Sequence, residues 1–153
     1  MSDKIVKKVE NLPQLTAVKR TDKLIQRVAA YARVSTGKEE QQTSIVAQKE
    51  YYTDYIKSHA GWQFVGVYAD EGISGCSTKR REQFKQLMSD CMAGKIDMVL
   101  TKSISRFGRN TVDTLTTIRE LKSKGIGVYF EKEQVWTMDS KGEFIITLMS
   151  SLA

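Results

Sequence analysis

Residues 28–35, VAAYARVS, decide the fold of this chain of 153 residues. A short apolar run of this kind is typical of a strand buried inside a parallel sheet. Similar runs occur at 62–68, 96–101 and 126–130, and a weaker one starts near Gln134 or Val135. Segments with helical signals lie between them. Strands that alternate with helices predict an α/β domain with a largely parallel sheet of four or five strands.

The helical signals are caps, glycine stops and apolar spacing. Asn110 can cap one helix, with Asp113 at its third helical position. Ser44 can cap another, after a polar loop at 36–42, and residues 70–78 also have loop composition. The predicted helices span 44–59, 79–92, 111–124 and 140–152.

Three segments follow from this pattern. Residues 1–26 carry a net charge of +3 and scattered apolar residues, so we expect a basic, mobile amino-terminal arm. Residues 27–138 form the core of the domain. Residues 139–153 begin an apolar helix at which the chain stops, which indicates a fragment or a helix that packs on another subunit.

Composition excludes several classes of protein. The sequence has 24 Lys+Arg and 18 Asp+Glu, which gives a net charge of +6. Two cysteines exclude a disulfide-rich secreted scaffold, and no apolar run reaches the roughly 18 residues of a membrane span. We therefore expect a cytoplasmic protein with no membrane partner. The single histidine, His59, excludes a site that needs two imidazoles.

Polar clusters follow three of the predicted strands, where ligands gather in open α/β sheets. Arg33 and Ser35 end the first strand, and Asp70 and Ser74 follow the second. Arg81 lies near the start of the next helix. The segment after the third strand supplies Lys102, Ser105, Arg106 and Arg109. These residue types favour an anion pocket that contains a hydroxyl.

Ser35 is the candidate nucleophile of this pocket. In an extended segment alternate residues share a face, so Tyr31, Arg33 and Ser35 should point the same way. A serine hydroxyl is a weak nucleophile unless its alkoxide is stabilised, and guanidinium groups can stabilise it and hold phosphate oxygens. Arg106 and Arg109 are spaced to reach one phosphate. Together they could stabilise the negative charge of a phosphoryl-transfer transition state without a metal.

Five motifs together resemble one family. They are Tyr31-Ala32-Arg33-Val34-Ser35-Thr36, Ser44-x-x-x-Gln48, Asp70-Glu71-Gly72-Ile73-Ser74-Gly75, Arg81-x-x-Phe84, and Lys102-x-x-Ser105-Arg106-Phe107-Gly108-Arg109-Asn110. In their order and spacing they resemble the catalytic domain of the serine recombinases, the resolvase/invertase family. The Gly-Ile-Ser-Gly sequence at 72–75 and Ser105 look more like the large serine recombinases and transposon-type members.

The resemblance implies a fold and a chemistry. The fold would be a resolvase-like, three-layer domain with helices on both faces of the sheet. Ser35 would attack a DNA phosphodiester to form a 5′-phosphoserine link and release a 3′-hydroxyl, with no metal, ATP or other cofactor. The family's phosphate-binding arginines match Arg33, Arg81, Arg106 and Arg109. Its supporting positions match Tyr31, Gln48, Asp70, Ser74, Lys102 and Ser105. The general base stays open between an arginine, a solvent water and Asp70.

The resemblance also implies partners. The partner would be double-stranded DNA, on which the protein assembles from dimer to tetramer in the bacterial cytosol. The helix from 140 would be the start of the family's long dimer helix, cut short, and the carboxy-terminal DNA-binding region would be missing. Two alternatives remain: a non-catalytic nucleic-acid-binding module, or a dimerisation module whose last helix is the functional part.

Overall fold

The computed structural model describes residues 24–36, 39–73 and 81–152, and it contains one mixed α/β sheet domain. The strands are β1 (Gln26–Thr36), β2 (Trp62–Ile73), β3 (Met98–Thr101), β4 (Gly127–Phe130) and β5 (Val135–Trp136). They lie in the order β2-β1-β3-β4-β5, with the first four parallel and β5 antiparallel to β4. The predicted α/β fold with a largely parallel sheet is confirmed.

Helices cover both faces of this sheet. They are α1 (Glu39–Ser58), α2 (Glu82–Met92), α3 (Ile104–Phe107), α4 (Thr111–Ser123) and α5 (Ser140–Leu152). Alternate residues of a strand point to opposite faces, and the two hydrophobic clusters follow this rule. Ala30 and Ala32 pack with Tyr52 and Ile56 of α1. Ala29 and Tyr31 pack on the opposite face, in the cluster that also holds buried residues of α2, α4 and α5.

Two predicted boundaries are wrong, and one short helix was not predicted. Helix α1 begins at Glu39, so Ser44 lies inside the helix and most of 36–42 is not a loop; Glu and Gln are good helix formers, and their polarity alone did not indicate a loop. Strand β2 continues past Asp70 to Ile73, because its parallel pairing with β1 extends to Thr36. Helix α3, within the arginine-rich segment, was not predicted because four residues show no periodicity.

Other boundaries agree closely. Asn110 caps α4 by accepting a hydrogen bond from the Asp113 N–H at 2.8 Å, as predicted. Helix α5 begins at Ser140. Of the predicted amino-terminal arm, residues 1–23 lie outside the described residues, and Gln26 already belongs to β1.

The strand order creates one switch point. The chain passes from β1 to β2 on one side and then returns to β3 on the other side of β1. Crevices at the carboxyl ends of strands form where the connections diverge in this way. The segments that follow β1 and β3 therefore meet at one edge of the sheet.

Gly127 at the start of β4 is held by close packing. A Cβ atom at this position would overlap the indole ring of Trp136 and the side chain of Met138. Trp136 lies in β5 and Met138 follows it, so an added Cβ atom would have to displace both side chains. Gly66 in β2 differs, because a Cβ there would meet only a Tyr68 ring carbon at 3.9 Å.

We expect Gly127→Ala to lower the free energy of unfolding by about 1–3 kcal/mol, the range for overpacking a filled site. Urea unfolding at neutral pH measures the change, with Gly66→Ala as the matched control. Equal unfolding midpoints for the two variants would contradict the packing assigned to Trp136.

Candidate active site

The candidate site lies at the switch point of the sheet. Arg33 and Ser35 stand at the carboxyl end of β1, and the Ser35 backbone pairs with Gly72 of β2. The segment 102–109 leaves the end of β3, the strand that pairs with β1 on its other side. The side chain of Ser35 and the whole of Ser74 lie outside the described part of the chain.

Arg33 ties the arginine-rich segment to β1. Its Nη2 donates to the Ser105 carbonyl oxygen at 2.8 Å, and its Nε donates to the Arg106 carbonyl oxygen at 3.4 Å. These bonds hold helix α3 against the end of the central strand. Burial lowers the pKa of Arg33, and the nearby guanidinium groups of Arg81 and Arg106 lower it further. The charges of Arg81 and Arg106 therefore act on Arg33 at the end of β1.

Arg81 is the buried member of this group. Its side chain is only 6 % exposed, and its guanidinium carbon lies 3.7 Å from the Phe84 ring centroid and 5.6 Å from that of Tyr31. Nη1 donates to Asp113 Oδ2 at 3.1 Å, and Nη2 donates to the Phe107 carbonyl oxygen. The backbone of Arg81 adopts a left-handed conformation with φ 36°, which non-glycine residues rarely do. Arg81 thus joins the starts of α2 and α4 to the end of α3.

Asp70 and Tyr31 support this arrangement. The buried Tyr31 hydroxyl donates to Asp70 Oδ2 at 2.8 Å. The same carboxylate accepts the backbone N–H groups of Gln83 at 2.9 Å and Phe84 at 3.0 Å. Asp70 therefore satisfies free donors at the amino end of α2. Burial of the ring raises the pKa of Tyr31, with its partner Asp70 adding to the shift, so its hydroxyl stays a donor at neutral pH.

Arg109 and Ser105 border a second part of the site. Arg109 is exposed, and its N–H donates to Asp113 Oδ2 at 2.8 Å. The Ser105 hydroxyl is 3.1 Å from the Ser103 hydroxyl. Gly108 packs against Thr114, where a Cβ atom would overlap the threonine backbone and hydroxyl. A cavity of about 380 Å³ lies at the amino end of α4, and its lining includes Ser105, Gly108, Arg109, Thr114, Glu133 and Met149.

Gln48 and Lys102 lie in a different place. They line a cleft of about 650 Å³ beside α1, together with Tyr51, Tyr52, Glu131 and Lys132. Tyr52 belongs to the hydrophobic cluster on the α1 face, whereas Tyr31 belongs to the cluster on the opposite face. The structure therefore places Gln48 and Lys102 in the cleft beside α1. The predicted site residues that it brings together at the switch point are Tyr31, Arg33, Asp70, Arg81 and Arg106.

Asp113 and Glu131 lie in these sites but were not among the predicted site residues. Asp113 was predicted only as a first-turn acid of a helix, and its pairing with Arg81 spans 32 positions, a separation that no local pattern indicates. Glu131 accepts hydrogen bonds from the hydroxyls of Tyr51 at 2.7 Å and Tyr52 at 2.6 Å. Its place directly after β4 could have indicated it, since strand ends carry ligands.

Neither a metal-ligand cluster nor a membrane span occurs in the described part of the chain. Across 24–36, 39–73 and 81–152, no three His, Cys, Asp or Glu side chains are grouped as metal ligands would be. Over the same ranges, no helix combines the length and apolar character needed to cross a bilayer.

Comparison with known proteins identifies the family. The family model described as the resolvase N-terminal domain matches residues 28–153. The chain therefore belongs to the resolvase family, and the resemblance to serine recombinase catalytic domains is confirmed.

Individual relatives agree with this assignment. The transposon Tn3 resolvase of Escherichia coli is 31% identical over 127 residues, which cover 83% of this chain and 62% of the relative. The R46 site-specific recombinase of Escherichia coli is 28% identical over 130 residues, covering 83% and 60%. The chain thus spans about three fifths of the length of these two relatives.

Solved structures share the fold. A resolvase family site-specific recombinase from Streptococcus pneumoniae superposes with a TM-score of 0.66 at 28% identity, over 83% of this chain and 85% of the other. The N-terminal catalytic domain of TP901-1 integrase gives a TM-score of 0.59 at 26% identity, over 83% and 93%. The predicted resolvase-like architecture is confirmed.

The Tyr51–Tyr52–Glu131 cluster generates a prediction about pH. The hydrogen bond to Glu131 raises the pKa of Tyr51 to about 12, and burial followed by the same carboxylate raises the pKa of Tyr52. The folded state therefore keeps protons that unfolded tyrosines lose near pH 10, so folding stability should fall as the pH rises above about 10. We expect Glu131→Gln to shift part of the tyrosinate absorbance titration to lower pH.

The matched control is Glu120→Gln, which removes an exposed carboxylate from α4. Its titration curve should overlay that of the unmodified chain. A Glu131→Gln curve that also overlays it would show that the carboxylate does not hold the two hydroxyl protons.

Proposed function

We propose that this chain is the catalytic domain of a site-specific DNA recombinase and that Ser35 is its nucleophile. The observation that carries the proposal is geometric: hydrogen bonds from Arg33 and Arg81 to main-chain oxygens hold the arginine-rich segment 102–109 against the end of the strand that contains Ser35. Family membership supports it, because relatives named as resolvases and site-specific recombinases match across 83% of the chain. Acting on bacterial DNA, the protein would work in the cytoplasm.

The proposed step is a balanced exchange of phosphate esters. The Ser35 oxygen attacks a phosphorus atom of double-stranded DNA, and a new P–O bond forms while the bond to the 3′ oxygen breaks. The proton of the serine hydroxyl leaves to a base, and the departing 3′ oxygen gains a proton to become a hydroxyl. The product is a 5′-phosphoserine link, and its reversal joins strands without ATP because the ester bond is kept.

The arginines would supply the electrostatic part of this step. The transition state carries more negative charge on the phosphoryl oxygens than the diester does, and preorganised cations stabilise that difference. Arg106 and the exposed Arg109 are the arginines that we assign to direct phosphate contact. Arg33 combines that role with anchoring α3. Arg81 faces inward in this conformation, so we assign it to the support of the others.

The surroundings of Asp70 reduce the number of candidates for the general base. Its carboxylate already accepts three hydrogen bonds, from Tyr31, Gln83 and Phe84. An acceptor engaged in this way is less available to take the serine proton. We therefore favour a solvent water or an arginine as base and assign Asp70 to positioning.

Helix α5 supports the proposed assembly of several copies. Phe144 is 62% exposed and Leu148 is 48% exposed, one helical turn apart on the outer face of α5. Burial of an apolar pair on a helix surface removes it from water, which is energetically favourable. We propose that a second copy of the chain covers this stripe in a dimer, from which the tetramer forms on DNA.

We expect Ser35→Ala to abolish covalent protein–DNA adducts while DNA affinity changes less than about twofold, because only the nucleophile is lost. The complete protein is incubated with a randomised double-stranded DNA library. After nuclease digestion, mass spectrometry measures the nucleotide-modified peptide that contains residue 35. EDTA should leave the yield unchanged.

The control for this experiment is Ser58→Ala, which removes an exposed hydroxyl from the end of α1. Adducts that persist in Ser35→Ala would refute the proposal for the nucleophile. Strong inhibition by EDTA would indicate a metal nuclease instead. DNA binding without adducts in every variant would favour the non-catalytic binding module.

We expect the isolated chain to bind DNA weakly and with strong dependence on salt, since contacts to phosphates dominate such binding. Arg106→Gln should reduce the slope of log affinity against log salt by about 1, the value for one lost phosphate contact. Fluorescence anisotropy with a labelled duplex measures both quantities. Arg119→Gln is the control, because Arg119 bonds to Ser150 on α5, away from the switch point; equal slopes for the two variants would remove Arg106 from the phosphate site.

A further inference from the structure

Asp113 holds two of the arginine positions through one oxygen atom. Its Oδ2 accepts a hydrogen bond from Arg81 Nη1 at 3.1 Å and another from the Arg109 backbone N–H at 2.8 Å. Its own backbone N–H is fixed by the Asn110 side chain at 2.8 Å. Arg81 precedes α2, whereas Arg109 precedes α4. The carboxylate therefore joins two segments that are distant in sequence.

Helix capping alone does not account for these contacts. An acid in the first turn of a helix interacts favourably with the helix dipole wherever its side chain points. The carboxylate of Asp113 instead reaches out of α4 to a guanidinium that is 6 % exposed, and it is itself 24 % exposed. A buried charge needs a partner, and removing one member of such a pair leaves the other uncompensated. Asp113 thus compensates the charge that Arg81 brings into the interior.

The position of Arg81 affects the other arginines. Its second donor binds the Phe107 carbonyl oxygen, between Arg106 and Arg109 in the chain. A shift of the guanidinium would move the backbone on which these two phosphate-binding candidates stand. Displacements of about 1 Å in a supporting group can cost about 100-fold in rate.

We propose that Asp113 is a positioning residue, which fixes Arg81 and the Arg109 backbone as one unit that supports the phosphate-binding candidates Arg106 and Arg109. This inference rests on the proposed function of the arginines. Asp113 would act through Arg81 and the Arg109 backbone, and its charge sets the geometry in which the cations meet the transition state.

The first test needs no DNA. The Nε–H of Arg81 is buried, and within the described ranges it has no hydrogen-bond acceptor, so its proton should exchange slowly and give a sharp arginine side-chain signal in ¹H–¹⁵N NMR. Loss of a peak in Arg81→Lys assigns the signal. We expect Asp113→Asn to let the Arg81 Nε–H exchange with solvent, so that its signal broadens or shifts.

Asp139→Asn is the matched control for that test. Asp139 also stands at the amino end of a helix, where its Oδ1 accepts the Gly142 N–H at 2.9 Å, but it pairs with no arginine of the site. It should leave the Arg81 signal unchanged. An unchanged signal in Asp113→Asn would overturn the proposal, whatever the chain does to DNA.

The second test concerns the reaction of the complete protein. We expect Asp113→Asn to slow formation of the residue-35 adduct at least 10-fold while DNA affinity changes less than twofold, and Asp139→Asn to change neither. In an Arg81→Gln background, Asp113→Asn should slow the reaction by a smaller factor than in the unmodified protein, because the part of its effect that acts through Arg81 is already lost. Additive losses would indicate that Asp113 merely stabilises α4 and would overturn the proposal. Absence of adducts in the unmodified protein would count against the proposed function, and the NMR result would still decide the role of Asp113.

Discussion

Repulsion among cations at one edge of the sheet is the constraint on which the site depends. Arg33 lies in the field of Arg81 and Arg106, and its pKa is lowered by burial and by these neighbours. The fold offsets this repulsion with backbone carbonyl oxygens of the segment 105–107 and with the carboxylate of Asp113. The free-energy cost of bringing these cations together is part of the free energy of folding. A phosphate that enters therefore gains interactions without reorganising the site.

Pleating of the sheet divides the polar residues between two faces. Tyr31 points toward the cluster that holds α2 and α4, and its hydroxyl reaches Asp70. Lys102 instead borders the cleft beside α1, with Gln48. Lys102 and Arg106 come from the same sequence motif, yet Lys102 lines the cleft beside α1 and Arg106 acts on Arg33 at the switch point. A motif fixes the order of side chains along the chain, but the alternation of the strand decides which of them can act on the same atom.

The sequence predicted the parts of this fold that local patterns encode. Buried apolar runs predicted β1 and its neighbours, and the Asn110 cap predicted the start of α4. The end of β2 was missed because its last residues are strand only through pairing with β1, which is a tertiary interaction. The early start of α1 was missed because Glu and Gln at 39–42 are compatible with either a loop or a helix.

The same distinction explains what the sequence could and could not indicate about the site. Resemblance to a family pointed to the arginines, since each stands in a recognisable motif. The partners that orient them are a carboxylate 32 residues from Arg81 and main-chain oxygens that any residue would provide. A guanidinium is a rigid planar group, but the long flexible side chain that carries it has no fixed position until its neighbours hold it. A site built on arginines must therefore distribute part of its chemistry over groups that touch no substrate, and only the folded structure identifies them.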